Sequence, residues 1–333
     1  MKAVQLPQYN KNVLRALLSL HVAEIPMPEP GPDEVVVKLH AATCNPSDIA
    51  FIRGVYNIIK PIPAIPGFEA SGIVVKTGEH CSSLGGKMVS CFVQSEHSGT
   101  WSEFFLANRE DLIVLGEGFD MDQAAAFSVN PFTAWGMMEI AKMRESRAIV
   151  QNASGGQVAA FIRKLAGQAG IRVIDIVRKS EMAEELAKEK ATVLCETDED
   201  FQEQLTTLAN EWNATTAFDA VGSTLSGIML NALPEDSELV VYGGLSGKQL
   251  ADFSGMDIIF RKKIISGFNL IDWKKEYDKD AFEEIVKEVE KLFRKGELST
   301  RFQGSTVIDN ITTGLKTYIS NMSSGKLLIR PGA

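Results

Sequence analysis

As far as about residue 115, the chain consists of short apolar runs broken by Gly and Pro. The clearest are Glu34–Leu39, Ala70–Val75 and Lys87–Val93, and the first of them follows a turn containing Pro26, Pro28, Pro30 and Pro32. Closely spaced β-type runs with turn signals predict a small barrel-like unit. The amino terminus, Met1–Pro7, has no signal-peptide core and reads as an immediate first strand.

Near Asp120 the periodicity changes. Apolar strand patterns at Ala148–Gln151, Arg172–Val177, Val193–Cys195, Ala217–Val221 and Glu238–Tyr242 alternate with helical stretches such as Glu181–Lys190 and Asp200–Trp212. This alternation predicts an α/β fold with a doubly wound parallel sheet. Further on, Phe282, Ile285, Val286, Val289, Leu292 and Phe293 follow the i, i+3, i+4, i+7 spacing of one long amphipathic helix. A last strand, Lys326–Arg330, is expected to return to the amino-terminal unit. The expected domains are a mainly β unit over residues 1–120, completed by 270–333, and an α/β unit over 121–269.

The chain is 333 residues long, enough for two cores. Its formal net charge of −9 argues against a nucleic-acid surface. No apolar run approaches the roughly 20 residues that span a bilayer, so no membrane partner is expected. Cys44, Cys81, Cys91 and Cys195 lack C-x-x-C spacing, which reads as reduced thiols in a cytoplasmic protein. His21, His40, His80 and His97 form no motif and read as structural or surface residues.

The loop after Val150 carries the first chemistry. Asn152, Ala153, Ser154, Gly155, Gly156, Gln157 and Val158 lead from a strand into an apolar helix. Small residues there let the backbone approach a pyrophosphate at the helix amino terminus. The usual G-x-G-x-x-G is replaced by Ala153, Gly156 and Ala159. About twenty residues on, where the ribose selector is expected, Val177 is followed by Arg178 and Lys179. Two cations at that point match a 2′-phosphate, so the expected cofactor is NADPH. Asp175 is a counter-candidate, but it lies inside the strand rather than at its end.

The second chemistry lies in Asn45-Pro46-Ser47-Asp48 and Pro66-Gly67-Phe68-Glu69. With Gly99–Glu103, Val129–Ala134, Phe218–Gly222, Ser266–Leu270 and Gly325-Lys326 in the same order, nearly the whole chain resembles the zinc-independent branch of the medium-chain dehydrogenase/reductase superfamily. That branch comprises quinone oxidoreductases and 2-enoyl thioester reductases. The resemblance implies a GroES-like catalytic domain beside a Rossmann NADP-binding domain. In the zinc-dependent relatives a Cys opens the first motif and a His precedes the Glu of the second; Asn45 and Phe68 stand there in this chain. Neither offers Zn²⁺ the thiolate or imidazole it prefers, so no metal is expected.

By the same resemblance, Asn45 and Asp48 sit beside the nicotinamide ribose. Tyr56 matches a proton-donating or carbonyl-binding tyrosine, so Tyr56 and Asn45 are the candidate catalytic residues. Asn130 and Thr133 line the nicotinamide pocket, Gly243, Gly244, Phe268 and Leu270 form its opposite wall, Val221 and Tyr242 are further cofactor-binding candidates, and Lys326 approaches the cofactor from the last strand. Two departures are visible: Ala159 and Gln157 stand where glycines are common, and Asn269 replaces a frequent aromatic residue.

A site without a Lewis acid suits a substrate whose developing charge delocalises into an enolate or hydroquinone anion. The expected function is NADPH-dependent reduction of quinones or other small molecules with an electron-poor double bond. Either Tyr56 or water would then protonate the product. A 2-enoyl thioester reductase is the enzymatic alternative, and an NADPH-binding protein with little turnover is the alternative from another class. A homodimer is expected by analogy with the family.

Overall fold

The run Lys2–Gln5 forms strand β1, paired antiparallel with β2 (His21–Glu24) in the computed structural model, which describes residues 1–332. β3 (Glu34–Cys44) is the spine of the first unit. It pairs antiparallel with β4 (Glu69–Thr77) from Val35 to Ala42. β4 is followed by β5 (Met88–Phe92), β6 (Phe104–Asn108) and β7 (Leu112–Val114). β6 takes up Glu34–Lys38 of β3, and β5 links β4 to β7.

The second unit carries the predicted alternation. Its strands are β8 (Ala148–Gln151), β9 (Arg172–Val177), β10 (Thr192–Cys195), β11 (Ala214–Asp219), β12 (Glu238–Val241) and β13 (Ile264–Gly267). All pair in parallel, in the order β10-β9-β8-β11-β12-β13. The order reverses at β8, so the ends of β8 and β11 form the crevice where doubly wound sheets bind their ligands. Val221, predicted within a strand, lies in the loop beyond β11. The Asp219 carboxylate accepts the Val221 and Gly222 amides at 2.8 and 3.0 Å and turns the chain out of the sheet.

The last strands, β14 (Phe302–Val307) and β15 (Lys326–Arg330), return to the first unit, and β15 pairs with Ala42–Cys44 of β3. The two compact units comprise residues 1–129 with 286–333, and residues 130–285. Helix Lys279–Arg294 buries Val286, Val289 and Phe293, three of the six positions its periodicity marked as apolar.

The first core contains Phe51, Phe68, Trp101 and Phe105, all essentially inaccessible to solvent. Each such side chain contributes roughly 1.5–3 kcal/mol by leaving water. Gly67 makes this packing possible. Its φ is +92°, and a Cβ there would lie 2.3 Å from the Trp101 ring. Only glycine lets the chain turn under Trp101 and carry Phe68 and Glu69 into the interior.

Candidate active site

Glu69 opens β4 at zero exposure, and donors surround its carboxylate. Oε2 accepts from Lys326 Nζ at 2.6 Å, Thr43 Oγ1 at 2.9 Å and Asn45 Nδ2 at 3.0 Å. Oε1 accepts from the Val129 amide at 2.9 Å, and Ser128 Oγ, which donates to the Cys91 carbonyl at 2.9 Å, lies 3.4 Å away. Thr43 lies next to the end of β3 and Lys326 begins β15, so the pairing of β3 with β4 and β15 brings these two to one carboxylate.

Asn45 caps the helix Pro46–Ile52. Its backbone amide donates to Asp48 Oδ2 at 2.7 Å, while Asp48 Oδ1 is buried without a hydrogen-bond partner. Burial pushes the Asp48 carboxyl up to about 7; the Asn45 amide opposes the rise, the Glu69 charge adds to it, and Lys326 and the Phe68 amide pull it back.

Phe68 lies against Phe51 and Tyr56, with ring centroids 5.4 and 5.5 Å apart. The Tyr56 hydroxyl accepts from Gln94 Nε2 at 3.4 Å, and burial followed by the Asp48 charge raises its pKa. Lys60 is buried over the Phe51 and Phe68 rings and donates to the Ser98 carbonyl. Burial lowers its pKa to about 8, and Asp48 works in the other direction. Tyr56, Asp48, Lys60 and Phe68 thus belong to one neighbourhood.

These residues do not fit a zinc ion. At the two positions where a Cys and a His are needed, Asn45 turns its amide nitrogen to Glu69 and Phe68 presents only a packed ring. The charge beside Glu69 is the Lys326 ammonium.

In the second unit the small-residue loop follows β8 as expected. Ala153 has φ of +50°, a conformation that strains a residue with a Cβ and concentrates at functional loops. Helix Gln157–Gln168 begins at Gly156 with no side-chain cap, as suits an incoming pyrophosphate. The Ser154 hydroxyl points into the protein, donating to the Gln151 carbonyl and accepting from the Ile176 amide, each at 3.1 Å. Val158 lies one residue inside the helix.

Arg178 and Lys179 are exposed beyond the end of β9; burial raises the Glu196 pKa, and the charge of nearby Arg178 opposes the rise. Asp175 is sealed inside, accepting from Gln151 at 2.7 Å and Arg163 at 3.0 Å. The backbone and charges here fit a phosphorylated dinucleotide.

Thr133 is buried on helix Asn130–Met143, which begins at Asn130. Tyr242 bonds its amide to the Asp219 carbonyl and leads into Gly243 and Gly244. Phe268 follows β13 and lies 6.3 Å from Trp273, while Asn269 caps the helix that Leu270 begins, accepting from Ile271 and Asp272. The unusual Asn269 therefore has a structural use.

Three residues escaped the sequence reading. Glu69 lay within a recognised motif, but its hub role depends on Lys326, 257 positions away. Arg163 fastens the glycine loop by donating to the Ser154 carbonyl and to Asp175. Asp219 ties two loops of the crevice through Asn152 Nδ2 at 2.6 Å. The Asn-Ala-Ser-Gly and Phe-Asp-Ala-Val-Gly motifs were the available signal for the last of these.

Residues 31–117 match the family model described as the alcohol dehydrogenase GroES-like domain, and residues 157–290 that described as zinc-binding dehydrogenase. The chain is 30% identical to mitochondrial enoyl-acyl-carrier-protein reductase of Bos taurus over 307 residues, covering 90% of this chain and 81% of that one. The Xenopus tropicalis protein of the same name is 31% identical, covering 84% and 82%. Among solved structures, a Mesorhizobium loti protein proposed to be an NADPH:quinone reductase superposes with a TM-score of 0.92 at 31% identity, covering 99% and 98% of the two chains. No helix among the described residues is long and apolar enough to cross a membrane. Relatedness over nearly its full length, joined to the Glu69-centred site and the doubly wound sheet, places the chain in the medium-chain dehydrogenase/reductase superfamily, in the branch of quinone oxidoreductases and enoyl reductases.

Proposed function

We propose that this protein is a zinc-independent, NADPH-dependent reductase that delivers hydride to quinones or other activated C=C bonds. One observation carries the reading: where a zinc-type site needs a thiolate and an imidazole, this chain has an amide donor and a buried ring beside a lysine–glutamate pair.

Bound NADPH supplies the hydride. The loop Ala153–Val158 would receive its pyrophosphate, and Arg178 with Lys179 its 2′-phosphate. Asn130, Thr133, Val221, Tyr242 to Gly244, Phe268 and Leu270 would enclose the nicotinamide half. In the first unit, Asn45 and Asp48 would hold the ribose. The Tyr56 hydroxyl would donate to the substrate oxygen on which negative charge develops. One such donor suffices for an enolate or hydroquinone anion, whereas an isolated alkoxide demands more. Exclusion of water by the aromatic wall of Phe51 and Phe68 strengthens that hydrogen bond.

The test is NADPH oxidation by metal-analysed protein, with a soluble quinone and with crotonyl-CoA as alternative acceptors. Turnover with neither, or turnover that tracks bound zinc, sinks the reading. Preference for crotonyl-CoA supports the second reading, a 2-enoyl thioester reductase, which the names of the curated relatives favour.

A homodimer is part of the proposal. β13 is an unpaired sheet edge whose Ile264 and Ile265 are 45% and 38% exposed, and the preceding helix exposes Ile259 and Phe260 at 67% each. Bare apolar edges of this kind are normally covered. A monomer by light scattering at micromolar concentration contradicts it. Four unpaired, buried cysteines support a cytoplasmic setting.

A further inference from the structure

The Glu69 carboxylate accepts on both oxygens, from Lys326, Thr43 and Asn45 on one and from the Val129 amide on the other. An ionised carboxylate is the one side chain of this length that accepts at both ends. Fully buried itself, Glu69 has Lys326, 5% exposed, as its ion-pair partner. Thr43 spends its hydroxyl hydrogen on Glu69, so toward Asn45 Nδ2, 3.5 Å away, it is an acceptor. The Asn45 amide nitrogen thereby faces Glu69 and Thr43. Its carbonyl oxygen, at the other end of the carboxamide, takes part in the capping box with the Asp48 backbone amide and keeps a second lone pair for a ligand.

We propose that Glu69 is a positioning residue for cofactor binding: balanced by Lys326, it sets the Asn45 carboxamide with its nitrogen inward and its oxygen ready to accept from the bound dinucleotide. This rests on the reading above that Asn45 meets the cofactor. In effect, the internal cation Lys326 replaces the metal as the charge around which this corner of the site is built. The arrangement reads the donor at Asn45, so an isosteric acceptor there must fail in a pH-dependent way. The groups facing this corner are Glu69, Lys326 and Asp48, and those facing Asp48 are Cys44, Tyr56, Lys60 and Tyr318.

The experiment compares the parent protein, Asn45→Asp and Asn45→Ala, measuring NADP⁺ dissociation constants by calorimetry and ligand-free melting temperatures at pH 8 and pH 6. Ratios to the parent at each pH cancel titration of the 2′-phosphate. In Asn45→Asp at pH 8 the introduced carboxylate faces Glu69 without a hydrogen between them, and NADP⁺ should bind about tenfold more weakly with a lowered melting temperature. At pH 6 a proton shared by the two carboxyls restores the missing donor, and the deficit should shrink to about threefold or less while the melting temperature recovers. Asn45→Ala should lose affinity by a similar factor at both pH values.

An Asn45→Asp deficit that is absent or independent of pH overturns the proposal, as does failure to fold at both pH values. Recovery of the melting temperature without recovery of affinity leaves Glu69 a structural residue and equally overturns it. Unchanged NADP⁺ affinity in Asn45→Ala instead removes the underlying reading that Asn45 meets the cofactor, and the proposal with it.

Discussion

Lys326 Nζ lies 2.6 Å from Glu69 Oε2, joining the last strand to the start of β4 through an ion pair almost wholly out of water. The attraction is strong at that depth, but so is the cost of desolvating both charges. The pair therefore matters less for net stability than for what its loss would expose. Lys326→Met should destabilise the fold by about 3–5 kcal/mol, because it strands the Glu69 carboxylate among neutral donors. Urea denaturation at neutral pH measures this, and a change below about 1 kcal/mol, the ordinary range of a surface pair, contradicts it.

Asp48 gives the fold a pH dependence of definite sign. Its folded-state pKa is about 7, above the ordinary carboxyl value, so the folded protein holds a proton that the unfolded chain releases. Below about pH 4 both states are protonated and the group costs nothing. As pH rises toward 7 the unfolded state ionises first and stability falls, by up to about 4 kcal/mol. Asn at this position keeps an acceptor for the Asn45 amide without the charge. Asp48→Asn should accordingly stabilise the protein at pH 8 by a few kcal/mol and by only about 1.5 kcal/mol at pH 5. A gain that is the same at both pH values removes the assignment.

Arg178 stands beyond β9, where an adenosine 2′-phosphate is expected. Arg178→Ala should weaken NADPH about tenfold to a hundredfold and leave NADH nearly unchanged, since only the former loses a charge-assisted hydrogen bond. Paired fluorescence titrations with the two cofactors decide it. An unchanged affinity ratio would leave Arg178 as a solvated turn residue beside Glu196.

Tyr56→Phe keeps the ring against Phe68 and deletes the hydroxyl. Turnover should drop about a hundredfold while NADPH affinity holds within about twofold. Full activity in that variant transfers the proton to water.

Much of this molecule could be read along the chain. β8, β9 and β15 have the bounds that their mainly apolar runs imply, because buried strands of a sheet covered on both faces are rich in apolar residues. The helix over Lys279–Arg294 follows from 3.6-residue spacing in the same way. Less of the site was legible. Asp175 was visible as a carboxylate inside the strand near the ribose selector, but its burial against Gln151 and Arg163 could not be read there. Val221 carried a strand pattern, yet the Asp219 side chain ends the strand before it by capping two amides.

By itself the sequence determined what the local code can carry: the strand and helix periodicities, the small-residue loop before an apolar helix, and the amide and aromatic residues at the positions of metal ligands. The tertiary structure alone decided that Glu69, Lys326, Thr43, Asn45 and Val129 share one carboxylate, and that Asp48 has lost the water that would keep it acidic. The physical reason is that periodicity is a property of neighbouring residues, whereas desolvation and charge balance depend on which distant segments pack together. β15 must dock on β3 before an ammonium 257 positions away can stand beside Glu69.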